Sequence, residues 1–100
     1  MTFVVTVRFV GDPKKAHRAL REDPELDRDI RQGIKQYGMI RCTRLVGDGQ
    51  FIDIDEWPSE KERDAFVRDM APQLRRWNEL MGWPESETLT WRPAEPDEDF

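Results

Sequence analysis

Two carboxylates stand between two aromatics in the stretch Phe51-Ile52-Asp53-Ile54-Asp55-Glu56-Trp57-Pro58-Ser59. Strand side chains alternate, so Phe51, Asp53, Asp55 and Trp57 share one face, and Ile52 and Ile54 share the other. Acids held among large apolar groups are where acid–base chemistry can arise, because burial raises a carboxyl pKa. The rest of the chain offers fewer reactive groups. The only histidine, His17, sits among Lys14, Lys15, Arg18 and Arg21, which reads as a solvated stretch. Cys42 has no histidine near it in sequence and reads as a small core residue. Asp53 and Asp55 alone supply at most two ligands, so no metal and no cofactor is expected.

The elements that must position these residues follow from patterning. Pro58 closes the strand, and Ser59 with Glu62 has the spacing of a capping box for the next helix. The first strand is Thr2 to Val10, ended by Gly11, with Asp12-Pro13 as a cap-plus-proline helix start. Ala16, Leu20, Leu26, Ile30 and Ile34 form the stripe of a helix from about Pro13 to Tyr37. Asp23-Pro24 repeats the start signal and predicts a break there. Gly38 caps this helix, Met39 to Val46 is the second strand, and Gly47-Asp48-Gly49-Gln50 is a hairpin turn. A second helix from Glu60 to about Met81 carries Phe66, Val67, Met70, Leu74, Trp77 and Met81 at helical spacing, with a kink expected at Pro72. Gly82-Trp83-Pro84 stops it, and Glu87 to Arg92 is the last strand.

Strand, helix, strand, strand, helix, strand is the ferredoxin-like βαββαβ pattern of an α+β protein. Right-handed crossovers predict a four-stranded antiparallel sheet in the order 4-1-3-2, with both helices on one face. The expected helix-facing set is Phe3, Val5, Val7, Phe9, Ile52, Ile54, Leu89 and Trp91, with Ile40 and Cys42 joining from the ambiguous second strand. The other face would carry Val4, Thr6, Arg8, Val10, Met39, Arg41, Phe51, Asp53, Asp55, Trp57, Thr88 and Thr90. There Arg8 would reach Asp53 or Asp55 across neighbouring strands. Cross-strand ion pairs alone would leave Val4, Val10, Met39, Phe51 and Trp57 wet, so a second copy is expected to cover this face and leave a polar pocket.

Length and composition set the outer bounds. One hundred residues make one domain, read as residues 1–93 with an acidic tail over 94–100. Apolar residues are 37% of the chain, a modest supply that a shared interface would supplement. The net charge is −5, with 16 basic residues interspersed among 21 acidic ones, which makes nucleic acid and anionic membranes poor partners. A lone cysteine points to a reducing compartment, so a cytoplasmic location is expected. The alternating N-terminus reads as a strand and not a leader, and no run approaches the length of a membrane span.

The layout resembles the dimeric α+β barrel superfamily, in particular small bacterial proteins similar to the antibiotic biosynthesis monooxygenases. The resemblance covers roughly residues 2 to 93. It rests on the element order, on Asp55-Glu56-Trp57-Pro58-Ser59, and on Gly82-Trp83-Pro84 followed by Thr88-Leu89-Thr90-Trp91-Arg92. It implies two sheets packed face to face across a two-fold axis and a small-molecule pocket. The activities it implies include cofactor-free oxygenation of phenolic polycycles and polyketide cyclisation. The haem-degrading branch is a poor match, since it uses a histidine in the second helix and this helix has none.

Cofactor-free oxygenation would need a base, an anion holder and an aromatic surface. Asp53 or Asp55, Arg8 or Arg41, and Trp57 or Phe51 fit those roles, with Trp77 at the pocket rim. Two functions therefore stand: an oxidising or cyclising enzyme for an aromatic or polyketide-like molecule, or a non-catalytic homodimeric module that binds a small aromatic ligand or is purely structural. A base without a compensating charge would separate them.

Overall fold

Strand β1 (Phe3–Val10) lies in the middle of a four-stranded antiparallel sheet in the computed structural model, which describes residues 2–82 and 86–100. The sheet order is β2 (Arg41–Gly47), β3 (Gln50–Trp57), β1, β4 (Ser86–Trp91), as the crossover argument predicts. Strand edges shift by one or two residues from the expected ones. Trp83 and Pro84 of the expected stop lie outside the described residues.

Both helical segments are broken, and proline sets each break. Helix α1 (Pro13–Glu22) starts where Asp12 accepts from the Lys14 amide, and α2 (Pro24–Gln36) starts where Asp23 accepts from the Leu26 amide. Helices α3 (Glu60–Asp69) and α4 (Ala71–Met81) part at Met70, because Pro72 has no N–H for a continuing helix and needs a first-turn position. Gly38 and Gly82 follow α2 and α4 with φ of 77° and 68°, a left-handed turn that costs glycine least. The capping box at Ser59 is not formed. The Ser59 side chain makes no bond to a helix amide, and its hydroxyl instead donates to the Glu62 carboxylate.

Register decides which face each side chain takes. Val5 pairs with Asp55, Val7 with Asp53 and Phe9 with Phe51, so the acids and aromatics of β3 share the helix side with Phe3, Val5, Val7 and Phe9. The expected phase of β3 is therefore inverted. Both faces of this strand carry apolar residues, and the larger pair, Phe51 and Trp57, takes the covered side, where each ring contributes about 1.5–3 kcal/mol by burial. Thr88 and Thr90 face the helices through Val7 and Val5, which turns Leu89 and Trp91 to the open face with Thr6 and Val4. Met39 is also corrected, since it packs partly buried against the core and not on the open face. Cys42 is on the helix side as expected, opposite Asp55.

The core is split into two clusters. Val5, Trp57, Leu26, Ile30, Phe66 and Met70 form one, and Phe51, Ala16, Ala19 and Met81 form the other, with Trp77 and Leu80 touching both. Gly33 of α2 has no Cβ because Met70 sits there; its sulfur would lie 2.9 Å from one. The tail turns back on itself, with the Arg92 guanidinium donating to both Glu98 carboxylate oxygens at 2.6 and 2.8 Å.

Candidate functional site

Between the two core clusters, β3 presents Asp53 and Asp55 to the helix layer. Phe51 is 1% exposed on one side of them and Trp57 is 2% exposed on the other. The hairpin brings β2 alongside with Gly47 opposite Gln50, which places Arg44 against Asp53 and Cys42 against Asp55. Gly49, at φ 67°, makes this tight turn possible.

Arg44 closes on Asp53 as a two-pronged pair, Nε to Oδ1 at 2.6 Å and Nη2 to Oδ2 at 2.8 Å. Its guanidinium carbon stands 4.6 Å from the centre of the Phe51 ring, which also stacks on Phe9 at 4.9 Å. Two of the five guanidinium N–H groups are spent on Asp53, leaving three for a further acceptor.

Asp55 is in a different position. Its side chain has no arginine pair among the described residues, and Cys42 stands opposite it in register. Burial, reinforced by the negative charge of Asp53, raises its pKa above the ordinary 3.8, against smaller opposing effects of the Cys42 thiol, Arg44 and Arg63. The thiol shares the consequence. Partial screening from water and the neighbouring Asp55 carboxylate push the Cys42 pKa up to about 12, which makes the thiol a poor nucleophile although its residue is exposed at the β2 edge.

The other residues singled out from the sequence fall elsewhere. Arg8 pairs in register with Ile52 on the open face, where it donates to Gln50 at 3.1 Å and meets Glu87 at 3.5 Å. It cannot reach Asp53 or Asp55, because alternate side chains leave opposite faces of the sheet. Arg41 is also on the open face and is paired with Glu56. Phe51 and Trp57 are too buried to offer a ring to a ligand in this state: Phe51 meets Arg44 and Phe9, and Trp57 is tilted onto Phe66 at 5.0 Å. Trp77 spans the two clusters and donates its indole N–H to the Ala16 carbonyl at 3.3 Å. Arg44 was missed, although counting outward from a two-residue Asp48-Gly49 turn pairs it with Asp53.

All of β2 is exposed, so the helix side of Cys42, Arg44 and Val46 is an open shelf leading to the acids. Among the described residues, no group of three or more His, Cys, Asp or Glu side chains is placed to hold a metal. The arrangement offers a partly buried proton acceptor, a fixed cation beside it, and access from one edge.

No family model and no curated protein matches the chain. Solved structures share its fold. SnoaB from Streptomyces nogalater, a cofactor-independent oxygenase, superposes with a TM-score of 0.66 at 16% identity over 94% of each chain. Rv0793 from Mycobacterium tuberculosis gives 0.62 at 19% identity, covering 95% of this chain and 97% of that one. A dimeric ferredoxin-like protein from an uncultured marine organism gives 0.64 at 10% identity, covering 89% and 84%. A putative antibiotic biosynthesis monooxygenase from Nitrosomonas europaea also has this fold. The chain thus shares the ferredoxin-like α+β fold of these structures, some of which are described as antibiotic biosynthesis monooxygenases.

Proposed function

We propose that this chain is a cofactor-independent oxygenase of an electron-rich, acidic aromatic or polyketide-like molecule, working as a homodimer with Asp55 as its base. The observation that carries the reading is the division of labour between the acids. Asp53 is neutralised by Arg44, whereas Asp55 is partly buried, has a raised pKa and has no cationic partner among the described residues. A structural ion-pair network would have paired both.

The chemistry balances with dioxygen as the sole co-reactant. A ring CH2 activated by neighbouring phenol and ketone groups gives a proton to Asp55. The anion, held by the spare N–H groups of Arg44, passes one electron to dioxygen, and the radical pair joins in a C–O bond. Protonation by Asp55 gives a hydroperoxide, which loses water to leave a carbonyl. The substrate supplies all four electrons. Trp77, at the junction of the two clusters, would form the aromatic rim.

Oxygen uptake with hydroxyanthrones tests this. Wild type should consume one dioxygen per product and place one labelled oxygen atom in it. Asp55→Asn should keep its melting temperature or exceed that of wild type, and lose turnover by roughly 10²–10⁴, the usual contribution of a positioned base. Saturable binding of such compounds without uptake by wild type would refute the oxygenase and leave a binding module.

A further inference from the structure

Helix α1 folds four basic side chains into one row. Lys14, His17, Arg18 and Arg21 stand at i, i+3, i+4 and i+7, so they share a face about 10 Å long, opposite the buried Ala16 and Ala19. Read along the chain these residues are interspersed with neutral ones, and the row appears only when the helix forms. With Pro13 they line a hollow of about 350 Å³.

The row is uncompensated. Nine other arginines form ion pairs: Arg8, Arg28, Arg31, Arg41, Arg44, Arg63, Arg68, Arg76 and Arg92. None of the four side chains of the row has an acidic partner among the described residues, in a chain whose net charge is −5. Like charges at this spacing weaken a helix, and the row forms no ion pair among the described residues. The amides at the helix start are not what is on offer, because Asp12 already accepts from the Lys14 amide. Lys15 points away toward Gly82 at the end of α4.

We propose that this row is a binding site for a small polyanion carrying two or more phosphate groups. The hollow is open to solvent and lies at the lower end of the range for small-ligand sites, ~300–1,000 Å³, and several cations along one helix face suit a multiply charged group better than a monoanion. The site is separate from the Asp55 cleft, and its test does not depend on oxygenation.

Inorganic triphosphate is the probe, titrated into full-length protein at low salt with amide NMR as the readout. Saturable one-to-one binding should shift amides over residues 13–22 and weaken as salt rises. Arg18→Gln with Arg21→Gln should weaken it by roughly fivefold per charge, about 25-fold together, with the melting temperature unchanged or raised as repulsion is relieved. Lys61→Gln and Arg75→Gln, which remove unpaired cations on α3 and α4, should leave affinity unchanged. Non-saturating shifts spread over every basic residue, or equal loss in the control variants, would overturn the site. So would tighter binding of a DNA oligonucleotide or an anionic vesicle than of triphosphate at equal charge, which would assign the row to a macromolecule.

Discussion

Removing the charge of Arg44 while keeping its stem, Arg44→Met, tests whether the acids are buried as a functional pair. Breaking a fully buried ion pair costs about 3–5 kcal/mol, because the remaining charge is left in a poor solvent. Here the Asp53 side chain is 11% exposed and that of Arg44 31%. Water therefore relieves part of the penalty, and about half, ~2 kcal/mol, remains. Loss of the cation above Phe51 adds ~0.5–1 kcal/mol. At ~4–8 °C per kcal/mol for a domain of this size, the melting temperature should fall by roughly 10–20 °C. Adding Asp53→Asn removes the orphaned charge and should recover at least half of that loss, a coupling visible in a double-mutant cycle by thermal circular dichroism. Arg8→Ala is the contrast. Its partners are exposed, so it should melt within about 2 °C of wild type. Refutation is simple: Arg44→Met melting as close to wild type as Arg8→Ala does, or a double variant no better than the single.

Asp55 carries a pH signature. Its folded pKa lies above its unfolded value, so its contribution is most favourable below pH 3.8 and is lost as pH rises through the folded pKa. Asp55→Asn should therefore be more stable than wild type at neutral pH, with the difference shrinking on acidification; an unchanged gap in denaturant melts between pH 7 and 3.5 would contradict the burial. The open face, with Leu45, Leu89 and Trp91 about half exposed, predicts a homodimer burying about 1,600 Å². Light scattering should show a dimer at micromolar concentration and a monomer for Leu45→Glu with Leu89→Glu, and a monomeric wild type would end the argument.

The element order, the breaks at Asp23 and before Pro72, and the sheet order were legible because each rests on local signals: proline, glycine and period. Facing was not. Ile52 and Ile54 look like a core face, yet Phe51 and Trp57 are larger and take the covered side. When both faces of a strand are oily, alternation fixes which residues go together without fixing which group goes inward. That single inversion moved Arg8 away from the acids and put Arg44 there. Arg44 was recoverable from hairpin counting, since the turn fixes register. The raised pKa of Asp55 was not, because it depends on what the helices leave uncovered.

The two-cluster core gives the molecule a seam. One cluster is anchored on Phe51 by α1 and α4, the other on Trp57 by α2 and α3, and the helix breaks at Asp23 and Met70 fall where the chain passes between them. The acids lie on that line, between Phe51 of one cluster and Trp57 of the other. Opening there tilts one helix pair against the other while each aromatic keeps its own neighbours, so it costs less than global unfolding. Trp77 and Leu80 are the apolar side chains that pack against both halves. Hydrogen exchange would then divide this domain into two protection classes, with slow amides over each aromatic and faster ones at the breaks. A guest arriving along the exposed β2 edge would meet the acids at that seam, where the two halves of the core join.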